Sequence, residues 1–251
     1  MNFPETPWKG LLAWALLGPS LSMAQGTELL AHDAAELAEG ELVDMRATVD
    51  AYEPLNHHLG GDSIRHCNGY ACIGWVEDHY ADGTLKHRGY YDDGRLIIYR
   101  NHYPDGTLER EFKVLDNVRC LMRTYHANGT LLSEAKYHDG RVVSYTDHYA
   151  SGRVRYEEER HKTEPYFLKM NLYAQDGTPI STFELEDKKR LQFRQREFHP
   201  DGSLRSEGLV AYDPVRMDSQ RIGTWRYYDP AGSVTGEEDY VDGKVHVARG
   251  E

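Results

Sequence analysis

The sequence predicts an all-β protein: a continuous antiparallel meander of consecutive β-hairpins behind a short irregular or helical N-terminal segment. Three observations predict it. Gly83, Gly106, Gly129 and Gly152 are spaced by 23 residues each time, and the series continues with insertions at Gly177, Gly202 and Gly232. A second turn falls midway, at Gly94, Asn117, Gly140 and Gly243. Between the turns lie stretches such as 96–103 (LIIYRNHY) and 142–149 (VVSYTDHY), rich in β-branched and aromatic residues. Asp-Gly and Asn-Gly supply the positive φ that tight hairpins need, and strands joined by short turns pair as antiparallel neighbours.

The elements follow in order. Lys9 precedes an apolar run, Leu11 to Leu17, and small residues lead to Ser22-Met23-Ala24. That pattern predicts a signal peptide over residues 1–24, cleaved after Ala24, and a periplasmic or secreted protein. The run is too short to span a bilayer. Residues 25–74 form a less regular segment. Leu29, Leu30, Ala34 and Leu37 recur near helical spacing within 28–39. Pro54 to Gly61 reads as loop, and Gly60-Gly61 falls one repeat length before Gly83, where a decayed repeat would begin. Cys67 and Cys72 bracket Asn68-Gly69, a hairpin signal that brings two Cβ atoms near bonding distance; in an oxidising compartment a disulfide is expected there, the alternative being two free thiols. The hairpin repeats occupy 75–251.

Stacking the repeats gives columns. Nine and seven residues before each main glycine stand Ile97/Tyr99, Cys120/Met122, Val143/Tyr145, Leu168/Met170, Phe193/Gln195 and Gly223/Trp225, the expected buried face. Four before stand His79, His102, Tyr125, His148, Tyr173, Phe198 and Tyr228. Five after stand Glu111, Glu134, Glu157, Glu207 and Glu237. Equivalent residues of successive hairpins are about 10 Å apart, two strand spacings. Neither the histidines as metal ligands nor the glutamates as a catalytic pair fit that separation. The histidines read as aromatic stand-ins, and the glutamates as cross-strand partners of Arg100, Arg123 and Arg226. Cys120 reads as a buried structural thiol.

Composition narrows the function classes. The 29 Lys and Arg are scattered among 41 Asp and Glu, for a net charge of -12, so no nucleic-acid partner is expected. The apolar fraction of 39% and the 18 Tyr against 6 Phe predict a thin core. No nucleophile elbow, P-loop or metalloprotease helix motif occurs, so no enzyme, metal or cofactor is expected.

The segment 223–244 (GTWRYYDPAGSVTGEEDYVDGK) resembles the bacterial variant of the MORN repeat, which reads Gly-x-Trp-x-x-Tyr-Tyr-x-x-Gly, then Glu, then Tyr-x-x-Gly-Lys. Earlier units keep the turn glycine and aromatics but lose the Gly-x-Trp; the resemblance covers roughly 75–247. It implies an elongated, twisted, single-layer antiparallel sheet. Some members resemble antitoxins, and some exported ones resemble immunity proteins guarding against secreted effector toxins. With the leader, it implies a periplasmic, non-catalytic immunity protein that sterically blocks a toxin. The alternatives are an envelope scaffold that assembles edge to edge, and a lipid- or glycan-binding repeat protein. The insertions at 158–168 and 209–222 break the repeat rhythm, and interface anchors are usually Tyr, Trp and Arg. The expected partner-binding residues are therefore Arg155, Tyr166, Phe167, Tyr212, Arg216, Arg221 and Trp225.

Overall fold

In the computed structural model, residues 53–250 are described. The expected leader (1–24) and the helical spacing at 28–39 lie outside them. Glu53–Leu55 and His57–Leu59 are single 3-10 turns, and a small hairpin, β1 (His66–Cys67) and β2 (Tyr70–Ala71), turns at Asn68-Gly69. The remaining strands form one open antiparallel sheet of 15 strands in strict sequence order. They are β3 (Gly74–His79), β4 (Leu85–Asp92), β5 (Arg95–His102), β6 (Leu108–Val114) and β7 (Arg119–Tyr125). There follow β8 (Leu131–His138), β9 (Arg141–His148), β10 (Val154–Arg160), β11 (Phe167–Tyr173) and β12 (Pro179–Asp187). The series ends with β13 (Gln192–Phe198), β14 (Leu204–Asp213), β15 (Asp218–Tyr228), β16 (Val234–Val241) and β17 (Lys244–Gly250). The predicted meander is therefore the fold.

The repeat chemistry explains the strict order. At each main turn the glycine N–H donates to the carbonyl three residues back, as in Gly83 to Tyr80 (2.9 Å) and Gly106 to Tyr103 (2.8 Å). Gly83 has φ of 88°, which a residue with a Cβ rarely adopts. The midway turns at Asp93-Gly94, Asp139-Gly140 and Asp242-Gly243 place both residues at positive φ, as a two-residue hairpin requires. Asn117 departs from that plan. There the Asp116 carboxylate accepts from the Val118 and Arg119 backbone N–H groups and holds a wider turn.

A β-bulge three residues past the main glycine recurs through the repeats. His79 pairs with Leu85 and Asp78 with His87, so Lys86 is the extra residue of the bulge; Glu109, Leu132, Arg155, Ile180, Arg205 and Thr235 occupy the same position. An extra residue shifts the alternation, so a column that counts residues evenly changes face. A similar bulge moves Leu96, not Ile97, inward beside Tyr91.

The two faces differ in chemistry. One is packed: Tyr99, Phe112, Met122, Ala135 and Tyr145 are direct neighbours across five strands. Cys120, the free thiol, is buried there, and burial pushes its pKa up to about 11. Residues 53–73 tie onto this face. Arg65 forks onto Asp78 (2.6 and 2.8 Å) and donates to the Tyr91 hydroxyl (3.0 Å), and Arg110 meets Glu53 at 3.4 Å. Cys67 and Cys72 are disulfide-bonded, with Cα atoms 5.0 Å apart. Among the described residues no meander strand begins at Gly60-Gly61, so the expected decayed repeat is not there. Gly60 instead ends the second 3-10 turn in the left-handed conformation.

Candidate protein-docking surface

The opposite face carries a ladder of charge. Glu77, Arg88, Arg100, Glu111, Arg123, Glu134 and Thr146 are consecutive cross-strand neighbours. The row resumes through Arg196, Glu207, Arg226, Glu237 and Arg249. The glutamate column pairs as its spacing suggests. Arg123 lies 3.4 Å from Glu111 and 2.7 Å from Glu134, and Arg226 lies 2.9 Å from Glu237. Partial burial opposes ionisation of Glu134, but hydrogen bonds from Arg123 and Lys136 outweigh it and hold the carboxyl below its usual range. These pairs are partly or largely exposed, so solvent screening leaves each of them little stabilising effect. The arrangement displays rows of paired charge, alternating in sign from Arg100 to Glu134 and from Arg196 to Arg249.

Beside the ladder runs the column that includes the histidines. Tyr125 donates to Glu111 (2.9 Å), Tyr173 to Glu157 (2.9 Å) and Tyr228 to Glu207 (3.2 Å). Among the described residues no group of three or more His, Cys, Asp or Glu is placed to hold a metal ion.

The seven expected contact residues do not form one patch. Trp225 is 0% exposed and lies across Gly208 of β14, with its indole N–H donating to the Leu209 carbonyl (3.1 Å). Tyr212 is also buried, on the packed face near Tyr166 (5.1 Å between rings). Neither presents a surface to a partner, which corrects the expectation for both; Gly208, having no side chain, is what admits the indole. Arg221 stacks over Trp225 at 3.9 Å and so shields it. Arg155 is the bulge residue of β10 and is held by the buried Asp147 carboxylate. Tyr166 stacks on His161 (5.0 Å), and Phe167 lies beneath the Arg160 guanidinium (4.5 Å).

Arg216 alone of the seven is an exposed residue, and it lies 3.5 Å from the Asp213 carboxylate. The insertion 209–222 is no loop: both its arms are strand, and β14 and β15 run on to a tip at 214–217. Asp213 fixes that tip by accepting from the Val215 and Arg216 N–H groups (2.8 and 3.3 Å). Val215 is 91% exposed and Met217 70%. Sequence reasoning missed both. The signal was the length of the inserted segment between two apolar alternating runs, which extends a hairpin as readily as a loop. At this end, a shallow depression of about 230 Å³ is lined by Asp213, Arg216, Gln220, Ile222, Asp242 and the Ala211-Tyr212 segment.

Comparison with known proteins adds to the fold. The family profile described as the MORN repeat variant matches residues 121–139 and 221–242. These stretches fall on the β7–β8 and β15–β16 hairpins. No curated protein matches this chain. Among solved structures, "Crystal Structure of TcdB2-TccC3-Cdc42" is similar at 12% identity over 67% of this chain, with a TM-score of 0.20. "Crystal Structure of TcdB2-TccC3-TEV" is similar at 8% identity over 74%, with a TM-score of 0.19. This chain spans 10% and 14% of the lengths of those chains. Scores at that level assign neither fold nor function.

Proposed function

We propose that this chain is an exported, non-catalytic binding protein whose repeat sheet docks a protein partner, and that the partner is an envelope-acting effector toxin which it blocks sterically. One observation carries the reading: a charged ladder on one face adjoins a hairpin tip, capped by Asp213, that exposes Val215 and Met217 around Arg216. Exposed apolar side chains rimmed by charge mark interaction surfaces. The MORN-variant match supports a scaffold with a binding role. The leader-like residues Lys9 to Ala24 and the resemblance to immunity-type repeat proteins support the toxin as partner.

The test is affinity capture from the protein's own cell envelope, followed by mass spectrometry. A second bait carries Val215→Asp and Met217→Asp, with an unchanged melting curve as proof that it folds. The expected result is one protein enriched by the native bait and lost from the variant, and toxic to envelope-exposed cells that lack this chain. No enrichment, or equal enrichment by both baits, removes the reading.

A further inference from the structure

The two outermost strands of the sheet carry an independent observation. Each has one strand neighbour among the described residues: β3 pairs only with β4, and β17 only with β16. Each therefore presents a row of backbone donors and acceptors along its outer side. Both also expose apolar side chains there. Trp75 is 55% exposed on β3, and Val247 is 37% exposed on β17.

The charges on these strands differ in sign. β3 (GWVEDH) carries Glu77 and Asp78 with no Lys or Arg, and β17 (KVHVARG) carries Lys244 and Arg249 with no Asp or Glu. Two β3 edges brought together place carboxylates against carboxylates, and two β17 edges place cations against cations. Only the unlike edges complement one another.

Register agrees with charge. Arg249 stands in the ladder opposite Glu237, and Val247 stands opposite Asp239 on the same face. Glu77 stands in the same ladder opposite Arg88, and Trp75 stands opposite Tyr90 on that face. Neighbouring strands alternate in direction through the meander, so β3 and β17 run the same way. A second copy placed with its faces and rows in line then sets β3 parallel to β17. That placement puts Glu77 beside Arg249 and Trp75 beside Val247. The ladder would read Arg226, Glu237, Arg249, then Glu77 and Arg88 of the next copy, in alternating sign.

We propose that β17 of one copy pairs with β3 of the next, in parallel, so that the protein assembles head to tail. Such a contact is heterologous and does not close by itself, so the product is open-ended. The inference is independent of the toxin-binding reading, because it uses neither the β14–β15 tip nor any partner.

Disulfide trapping in the full chain tests it. Strand neighbours lie about 4.8 Å apart, within the Cα separation a disulfide bridges. Two single variants are made, Trp75→Cys and Val247→Cys, both at exposed positions that leave the packed face untouched. Under mild oxidation, the mixture of the two is expected to give a cross-linked dimer, and each variant alone is expected to stay monomeric. The double variant is expected to give a ladder of higher species. A second pair, Glu77→Arg and Arg249→Glu, is read by sedimentation of otherwise native chains. Each single change is expected to abolish concentration-dependent growth, and the two together to restore it. Cross-linking of a single variant with itself indicates a two-fold dimer and overturns the proposal. So does a mixture that yields no cross-link, whether because another segment of the chain or a different partner occupies the edge.

Discussion

At the scale of single residues, the fit of Trp225 to Gly208 is the sharpest dependence in the packed face. A Cβ at position 208 would lie 2.2 to 2.4 Å from the indole, while the backbone there needs no left-handed φ. Gly208→Ala is therefore expected to destabilise the fold through steric conflict alone, by about 1–3 kcal/mol, read from the midpoint of urea unfolding with an unchanged slope. Val215→Ala, on the exposed tip, is expected to move that midpoint hardly at all. His87 gives a pH signature. It is buried, with Nδ1 2.7 Å from the Asn101 side-chain oxygen and Nε2 3.0 Å from the Tyr91 hydroxyl. Burial lowers its pKa despite the Asn101 hydrogen bond and the Asp78 charge, with Arg65 and His102 also facing it. The unfolded chain then binds more protons than the folded one below the ordinary value of about 6.5. Stability from this group is thus complete above that pH and falls as pH drops toward the lowered folded value. His57, His58 and His102 shift the same way, so melting curves of His87→Gln should show a shallower acid loss than the native chain, though not a flat one. None of this pairing was legible in the sequence. A column of equivalent positions says which residues share a face, but the Trp225 site depends on what the neighbouring strand lacks.

At the scale of elements, the turns were legible and the bulges were not. The glycine of each Asp-Gly or Asn-Gly pair supplies the positive φ a tight turn needs, so their spacing dictates the hairpins. The bulge position holds Lys86, Glu109, Leu132, Arg155, Ile180, Arg205 or Thr235, and no shared chemistry marks it. The turn also carries a link between repeats. Tyr80 donates to the His102 carbonyl (2.7 Å), Tyr103 to Tyr125 (2.8 Å) and Tyr149 to Tyr173 (2.8 Å). His126 reaches the His148 carbonyl at 3.1 Å from the same position, three residues before its turn glycine, as Tyr103 is. Ala174 interrupts the series. Tyr103→Phe is expected to cost about 1 kcal/mol, the net worth of one such bond, measured by denaturant titration. The Cys67–Cys72 bond closes a short loop in the segment that ties to the Gly94 turn through Arg65 and Cys72. Reduction is expected to cost at most about 2 kcal/mol. Hydrogen exchange should show the loss at Arg65 and Gly94 and leave β10–β16 unchanged.

At the scale of the whole sheet, every strand forms its ladder hydrogen bonds only with its neighbours in sequence, so cooperativity passes mainly from hairpin to hairpin. All seven residues of β17 are exposed, whereas β5 to β8 hold Leu96, Tyr99, Phe112, Cys120 and Ala135 in the packed face. Amide exchange is expected to be fastest in β17 and slowest in β5–β8. The sequence disclosed this scale best, because a fixed period constrains the meander many times over. It disclosed the docking surface least, since the exposure of Val215 and Met217 follows from how far two strands outrun their neighbours. The buried thiol turns the chain into its own clock. With the other two cysteines locked together, an alkylating reagent has one target, and at neutral pH that target is both sealed and protonated. The rate at which Cys120 takes up a label therefore times how often the middle of the sheet comes apart, with no engineered probe required.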